Sequence, residues 1–280
     1  MKKRAPAAAK TKETWQALWP SRDAEKSVPL LQALHILTRD ATLNADSRRK
    51  LTQVLHLTQL LRPPLERLFE QNEEPVLADV GAGKSYLGFI LYDLIFGPAG
   101  KGRVVGVDVR EQLIEASRGL ASQSGFDRMS FMTAPIAQAT LPGGRADMVT
   151  ALHACDTATD DAIVFALRHQ AKVIALVPCC QAEVARLLEG KSGPLRQLWR
   201  HPIQRREFGA HVTNVIRGLF LEAHGYKVRV TEFTGLEHTM KNELIVAERH
   251  QLSNAQARGE LDRLIDQLGV KPALIDAMTS

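Results

Sequence analysis

The sequence predicts an α/β fold: a doubly wound, mostly parallel seven-stranded sheet with an antiparallel last strand and a helical N-terminal extension. Three observations carry this expectation. From residue 76 onward short apolar runs alternate with amphipathic segments, and strands that are apolar on both faces and separated by helices build a parallel sheet covered on both sides. The last two runs, YKVRVTEFT (226–234) and ELIVAER (243–249), are joined by a linker too short for a crossover helix, so they pair antiparallel. Before residue 75 the pattern is helical, with no strand alternation.

The elements divide the chain into a basic tail (1–25), a helical extension (26–74), the α/β domain (75–250) and a helical C-terminal tail (251–280). In the extension Leu51, Val54, Leu55, Thr58 and Leu61 share one face of a helical wheel, and Arg49, Gln53 and His56 share the opposite one. That spacing predicts one amphipathic helix, ended by Pro63-Pro64. Solvent is the ordinary destination of its polar face; a ligand site beneath it is the sharper alternative. The domain then reads as strands VLADV (76–80), RVVGVDV (103–109), MSFMTAP (129–135), ADMVTALHA (146–154) and KVIALVPC (172–179). Helices are expected over 85–96, 111–124 and 159–169, and from 181 onward. Residues 194–224 are helical and locally basic, with Arg196, Arg200, Arg205, Arg206 and Arg217 against Glu207 and Glu222. Residues 254–278 read as one or two amphipathic helices.

Composition sets the class. With 280 residues, 45% hydrophobic and 24% charged, the chain is neither wholly disordered nor fibrous. The longest apolar run, Tyr86 to Phe96, is interrupted by Asp93 and falls short of the ~20 residues of a membrane span. The N-terminus has charges but no apolar core, so no secretory signal is expected. The three cysteines, Cys155, Cys179 and Cys180, form no disulfide framework and suit a reducing, cytoplasmic setting. The net charge of +5 is concentrated early: residues 1–72 hold 13 basic and 7 acidic side chains, and the rest of the chain 23 and 24. This asymmetry points to an anionic partner such as nucleic acid, although a solvated lysine-rich tail accounts for the first dozen residues more simply.

The turn after the first strand, Ala78-Asp79-Val80-Gly81-Ala82-Gly83-Lys84-Ser85, admits three cofactors. A dinucleotide fingerprint needs a small third residue where Tyr86 stands, which disfavours NAD and FAD. Gly83-Lys84-Ser85 mimics a P-loop, but a P-loop begins after its strand, and Ala78 lies inside the apolar run. The third possibility keeps the strand whole: Asp79 ends it, Gly81 and Gly83 turn the backbone, and Asp108 ends the second strand. Glycines let backbone approach a ligand without a Cβ clash, and a carboxylate accepts two hydroxyl donors through charge-assisted bonds.

The D-x-G-x-G run at 79–83, Asp108 and the reversed final strand resemble class I S-adenosylmethionine (SAM)-dependent methyltransferases over about residues 76–249. The resemblance implies SAM as cofactor, held by Asp79, Gly81, Ala82, Gly83, Tyr86, Asp108, Val109 and His153. In parallel sheets ligands sit beyond the carboxyl ends of the strands, and two clusters fall there: His153-Ala154-Cys155-Asp156-Thr157-Ala158-Thr159-Asp160 and Pro178-Cys179-Cys180-Gln181. This pattern is similar to a subset that includes the tRNA acceptor-stem 2′-O-methyltransferases and a methyltransferase group containing the glutathione S-transferase C-terminal domain-containing protein. In that subset glycine follows the first cysteine; here Asp156 stands there.

His153, Cys155, Asp160, Cys179 and Cys180 are therefore the candidates for chemistry. Each has an ordinary alternative. Asp160 and Asp161 sit in a first helical turn, where capping and dipole compensation account for acidic residues equally well. Cysteines at strand ends are often small buried residues. Zinc is not expected, because adjacent residues in extended backbone point apart, and a deaminase signature is incomplete. A nucleophilic cysteine would serve methylation at pyrimidine C5; oxygen or nitrogen methylation needs only proximity and a base such as His153. The resemblance favours non-covalent transfer, with RNA as the expected acceptor. A P-loop nucleotide-binding protein and a non-catalytic RNA-binding or assembly protein are the alternatives.

Overall fold

The structure, a computed structural model, describes residues 14–21, 24–152, 154, 156–179, 181–232 and 243–277. Its sheet comprises β1 (Val76–Val80), β2 (Arg103–Asp108), β3 (Met129–Thr133), β4 (Met148–Leu152), β5 (Val173–Val177), β6 (Tyr226–Glu232) and β7 (Glu243–Arg249). The spatial order is β3-β2-β1-β4-β5-β7-β6, and β7 alone runs against its neighbours. The fold class is the one the sequence predicts, with the reversed strand inserted between β5 and β6.

Helices cover both faces: α1 (Trp15–Leu18), α2 (Val28–Ala33), α3 (Ala45–Gln71), α4 (Tyr86–Leu91), α5 (Gly97–Ala99), α6 (Glu111–Gln123), α7 (Ala158–Arg168), α8 (Glu183–Leu187), α9 (Pro202–Ala223), α10 (Ala255–Leu268) and α11 (Ala273–Asp276). Alternation along each strand divides the core. Leu77, Val104 and Met148 pack with the N-terminal helices, α4 and α6; Ala78, Val105 and Val149 pack beneath α7, α9 and α10.

Two expectations are corrected. The helix of the extension does not stop at Pro63-Pro64: α3 runs on to Gln71. The prolines remove two helix hydrogen bonds, at about 3 kcal/mol each or more, but Leu65 and Leu68 continue the buried stripe of Leu57 and Leu61 past them, and Pro64 is itself buried. Burial of each such leucine returns about 1.5–3 kcal/mol. The segment assigned to the tail is likewise anchored from residue 15, since Trp15 and Trp19 enter the core. Trp19 Nε1 and Ser27 Oγ donate to Asp93 Oδ2 at 3.1 and 2.8 Å. Asp93 lies in a π-helical turn, Tyr92–Phe96, that follows α4, so the charge that interrupts the apolar run is the dock for the N-terminal segment. Trp199 is buried as well, so none of the three tryptophans is available to stack on a base.

Candidate active site

The turn after β1 is built on Asp79. The parallel register sets Asp79 opposite Thr150 of β4 on one side and Gly106 of β2 on the other. Thr150 Oγ1 donates to Asp79 Oδ1 at 2.9 Å, and Ser85 Oγ and the Gly88 amide donate to Oδ2 at 3.1 and 3.3 Å. The carboxylate thus fastens strand, turn and the first turn of α4 from inside. Gly88 is what lets the helix come so near: a Cβ there would lie 2.6 Å from Ser85 Oγ and 3.2 Å from Asp79 Oδ2. The close-approach glycine is displaced by two residues from Tyr86, where a dinucleotide fingerprint would have it.

Burial pushes the Asp79 carboxyl up to about 6, against the opposing hydrogen bonds from Thr150, Ser85 and Gly88. Since the folded value lies above the unfolded value of 3.8, the folded chain binds more protons between them. Its contribution to stability is full below about pH 4 and is lost as pH rises through about 6. Asp79→Asn should flatten this segment of the stability profile. Thermal melts between pH 4 and pH 7 measure it, and parallel profiles for parent and variant would refute the assignment.

The turn itself needs left-handed backbone at Gly81 (φ 61°), Gly83 (φ 60°) and Ser85 (φ 51°). The Ala82 amide donates to the Val107 carbonyl at 3.0 Å, and the Gly83 amide to Asp108 Oδ2 at 2.7 Å, so the turn is tied to the end of β2. Arg110 completes the Asp108 shell: its amide and Nε donate to Oδ1, both at 2.9 Å, and Nη2 donates to Oδ2 at 3.1 Å. Burial opposes the charge on Asp108, but the bonds from Arg110 and Gly83 outweigh it and hold the carboxyl below its ordinary value. An ionised carboxylate therefore stands beside the glycine turn, each of its oxygens held by two donors, with Val109 exposed next to it. Tyr86 is half-buried against the core, and burial pushes its hydroxyl pKa up. A P-loop is ruled out by the same geometry: Ala78 lies within β1, and Ser85 Oγ faces a carboxylate.

At the ends of β4 and β5, His153, Cys155 and Cys180 lie outside the described residues. Cys179 is half-buried just beyond β5. Asp160 is buried, and Arg217 Nε of α9 donates to its Oδ1 at 2.7 Å; burial pushes this carboxyl up against the guanidinium. Asp156 adopts φ 50°, the left-handed region that glycine favours, at the position where the similar subset has glycine. Its Oδ1 accepts from the Ala182 and Glu183 amides at 3.0 and 3.2 Å, and its Oδ2 from Arg186 Nη2 at 2.9 Å. Among the described residues no three His, Cys, Asp or Glu side chains are grouped to hold a metal, and no helix is long and apolar enough to cross a membrane. Ser85, Gly88, Arg110, Thr150 and Arg217 are the residues that sequence reasoning left out of the site. A small residue seven after Gly81 was the legible sign for Gly88; the others depend on register and packing.

A seven-stranded sheet with one reversed strand, a two-glycine turn and a carboxylate ending β2 together make the fold and the turn that class I SAM-dependent methyltransferases share. A family model described as a methyltransferase domain matches residues 49–187, from within α3 to the end of α8. No curated protein matches the chain. Among solved structures it is similar to magnesium protoporphyrin IX methyltransferase from Synechocystis PCC 6803 with bound SAH, at 15% identity and a TM-score of 0.47, over 82% of this chain and 97% of that one. It is also similar to an rRNA methylase from Streptococcus thermophilus, at 13% identity and a TM-score of 0.41, over 64% and 89% of the two chains. A SAM-dependent methyltransferase from Aquifex aeolicus aligns at 19% identity and a TM-score of 0.38, over 66% and 87%. These likenesses concern the fold and carry nothing about the acceptor.

Proposed function

We propose that the protein methylates RNA in the cytoplasm by direct, non-covalent transfer from SAM. Bound SAM supplies an electrophilic methyl group; the chain's own residues hold the cofactor and present the acceptor. Asp108 accepts the ribose hydroxyls in place of the exposed Arg110 side chain, which swings off it, the turn Gly81-Ala82-Gly83 passes under the methionine part, Val109 and Tyr86 lie alongside, and Asp79 braces the turn from within. His153, which follows β4 directly in sequence, positions the acceptor or takes its proton.

The observation that carries the acceptor class is the basic surface entering α9: Arg196, Arg200 and Arg206 are exposed within eleven residues, beside the helix that braces the loops after β4 and β5. Clustered exposed arginines suit phosphate oxygens. The early basic balance and the likeness of the 153–160 run to tRNA 2′-O-methyltransferases agree with it. The test is transfer of tritium from methyl-labelled SAM to total RNA from a strain lacking the gene, with mass spectrometry of the nucleosides. Label in protein or small molecules and none in RNA would overturn the proposal.

Asp108→Ala should weaken SAM binding by about 1.5–3 kcal/mol, the scale of a lost hydrogen bond to a charged group. Calorimetry on parent and variant checks it. Equal affinities would remove Asp108 from the cofactor site.

A further inference from the structure

Among the described residues Arg217 is the largest fully buried side chain, and it sits on α9, outside both the turn after β1 and the sequence clusters. Its three nitrogens address three different groups. Nε meets Asp160 Oδ1 at 2.7 Å, Nη2 donates to the Asp156 carbonyl at 2.8 Å, and Nη1 donates to Asn214 Oδ1 at 3.2 Å. Asn214 Oδ1 also accepts from Gln181 Nε2 at 3.1 Å, and its Nδ2 donates to Glu243 at the start of β7. Arginine is a donor only, so it locks the amide with its oxygen inward and its nitrogen toward β7. One guanidinium therefore links the segment after β4, the segment after β5 and the opening of β7.

We propose that Arg217 is a positioning residue for methyl transfer: its fork sets the spacing of the segments after β4 and β5, and thereby how the acceptor meets the cofactor. The proposal rests on the function proposed above only in placing the acceptor over these segments. A simple counter-charge for Asp160 would need neither the bond to the Asp156 carbonyl nor the branch through Asn214. Asp156 adds a second tie between the same segments through the amides of Ala182 and Glu183, and it does so from left-handed backbone. Strain of that kind persists where the surroundings overdetermine a conformation.

Lysine keeps the charge and loses the planar fork, so Arg217→Lys separates the two roles. In the full chain with SAM bound, hydrogen exchange in both segments should quicken together by about tenfold, with the turn after β1 unchanged and SAM affinity within about twofold. With total RNA as acceptor and SAM saturating, turnover should fall about 10- to 100-fold while KM for RNA stays near the parent value, as for a displaced reacting pair. A folded lysine variant with parental exchange, faster exchange in one segment alone, or parental turnover would overturn the proposal. If Arg217→Lys does not fold, Asn214→Leu leaves the pair with Asp160 whole and cuts only the branch to Gln181 and Glu243. Exchange should then quicken after β5 and not after β4; unchanged exchange after β5 would equally overturn it. If the parent places no methyl group on RNA, the acceptor proposal fails by itself, and the exchange measurement still decides the role of Arg217.

Discussion

Replacing Gly83 by valine is expected to abolish SAM binding in a chain that still folds. Gly83 has φ 60°, a region that costs an L-residue about 1–2 kcal/mol, and a Cβ there would stand 3.3 Å from Arg110 Nη2. Strain alone would only lower stability. The larger effect arises because the Gly83 amide donates to Asp108 Oδ2, so a turn pushed outward also moves the carboxylate proposed to receive the ribose. Gly100→Val separates the two causes, since Gly100 has φ 68° with nothing within 4 Å of its Cβ position. Calorimetry with SAM, accompanied by circular dichroism, should show binding lost at Gly83 and kept at Gly100. Retained binding by folded Gly83→Val would remove the turn from the cofactor site.

His153→Ala should lower turnover by about 10² to 10⁴, the range for a general base, with SAM affinity unchanged. Cys179→Ser and Cys180→Ser should cost far less. The order follows from non-covalent transfer, in which the acceptor needs orientation and a proton sink and forms no bond to the enzyme. In a covalent route at a pyrimidine C5, replacing the attacking thiol would remove the adduct altogether, so the ranking reverses. Turnover on the RNA species found by tritium transfer separates the two. A fully active His153→Ala beside a dead cysteine variant would overturn the mechanism, and near-normal activity in all three would leave both clusters structural.

Much of the turn after β1 and its tie to β2 is legible from local signals. Asp79, Gly81, Gly83 and Asp108 are marked by spacing relative to two apolar runs, and strand ends can be placed from those runs alone. The side where the acceptor is expected is less legible. Asp160 reads equally as a cap, a helix-dipole partner or a chemical group, because all three place an acidic residue in a first helical turn. Its burial against Arg217, 57 residues further on, is what distinguishes them. Pro63-Pro64 misleads for the converse reason. The local cost of proline in a helix is real, but it is outweighed by a buried stripe visible only once α3 packs on the core.

The sequence by itself determined the strands, their order along the chain, the helices between them and the reversal of the last pair, because these follow from periodicity and linker length, which are properties of neighbours in the chain. Tertiary structure alone decided what each charge is for. Asp93 docks Trp19 and Ser27, Asp79 braces the turn through Thr150, and Arg217 joins the segments after β4 and β5. A buried charge must find its partners, and those partners lie tens of residues away, brought into reach by sheet register and helix packing rather than by spacing in the sequence.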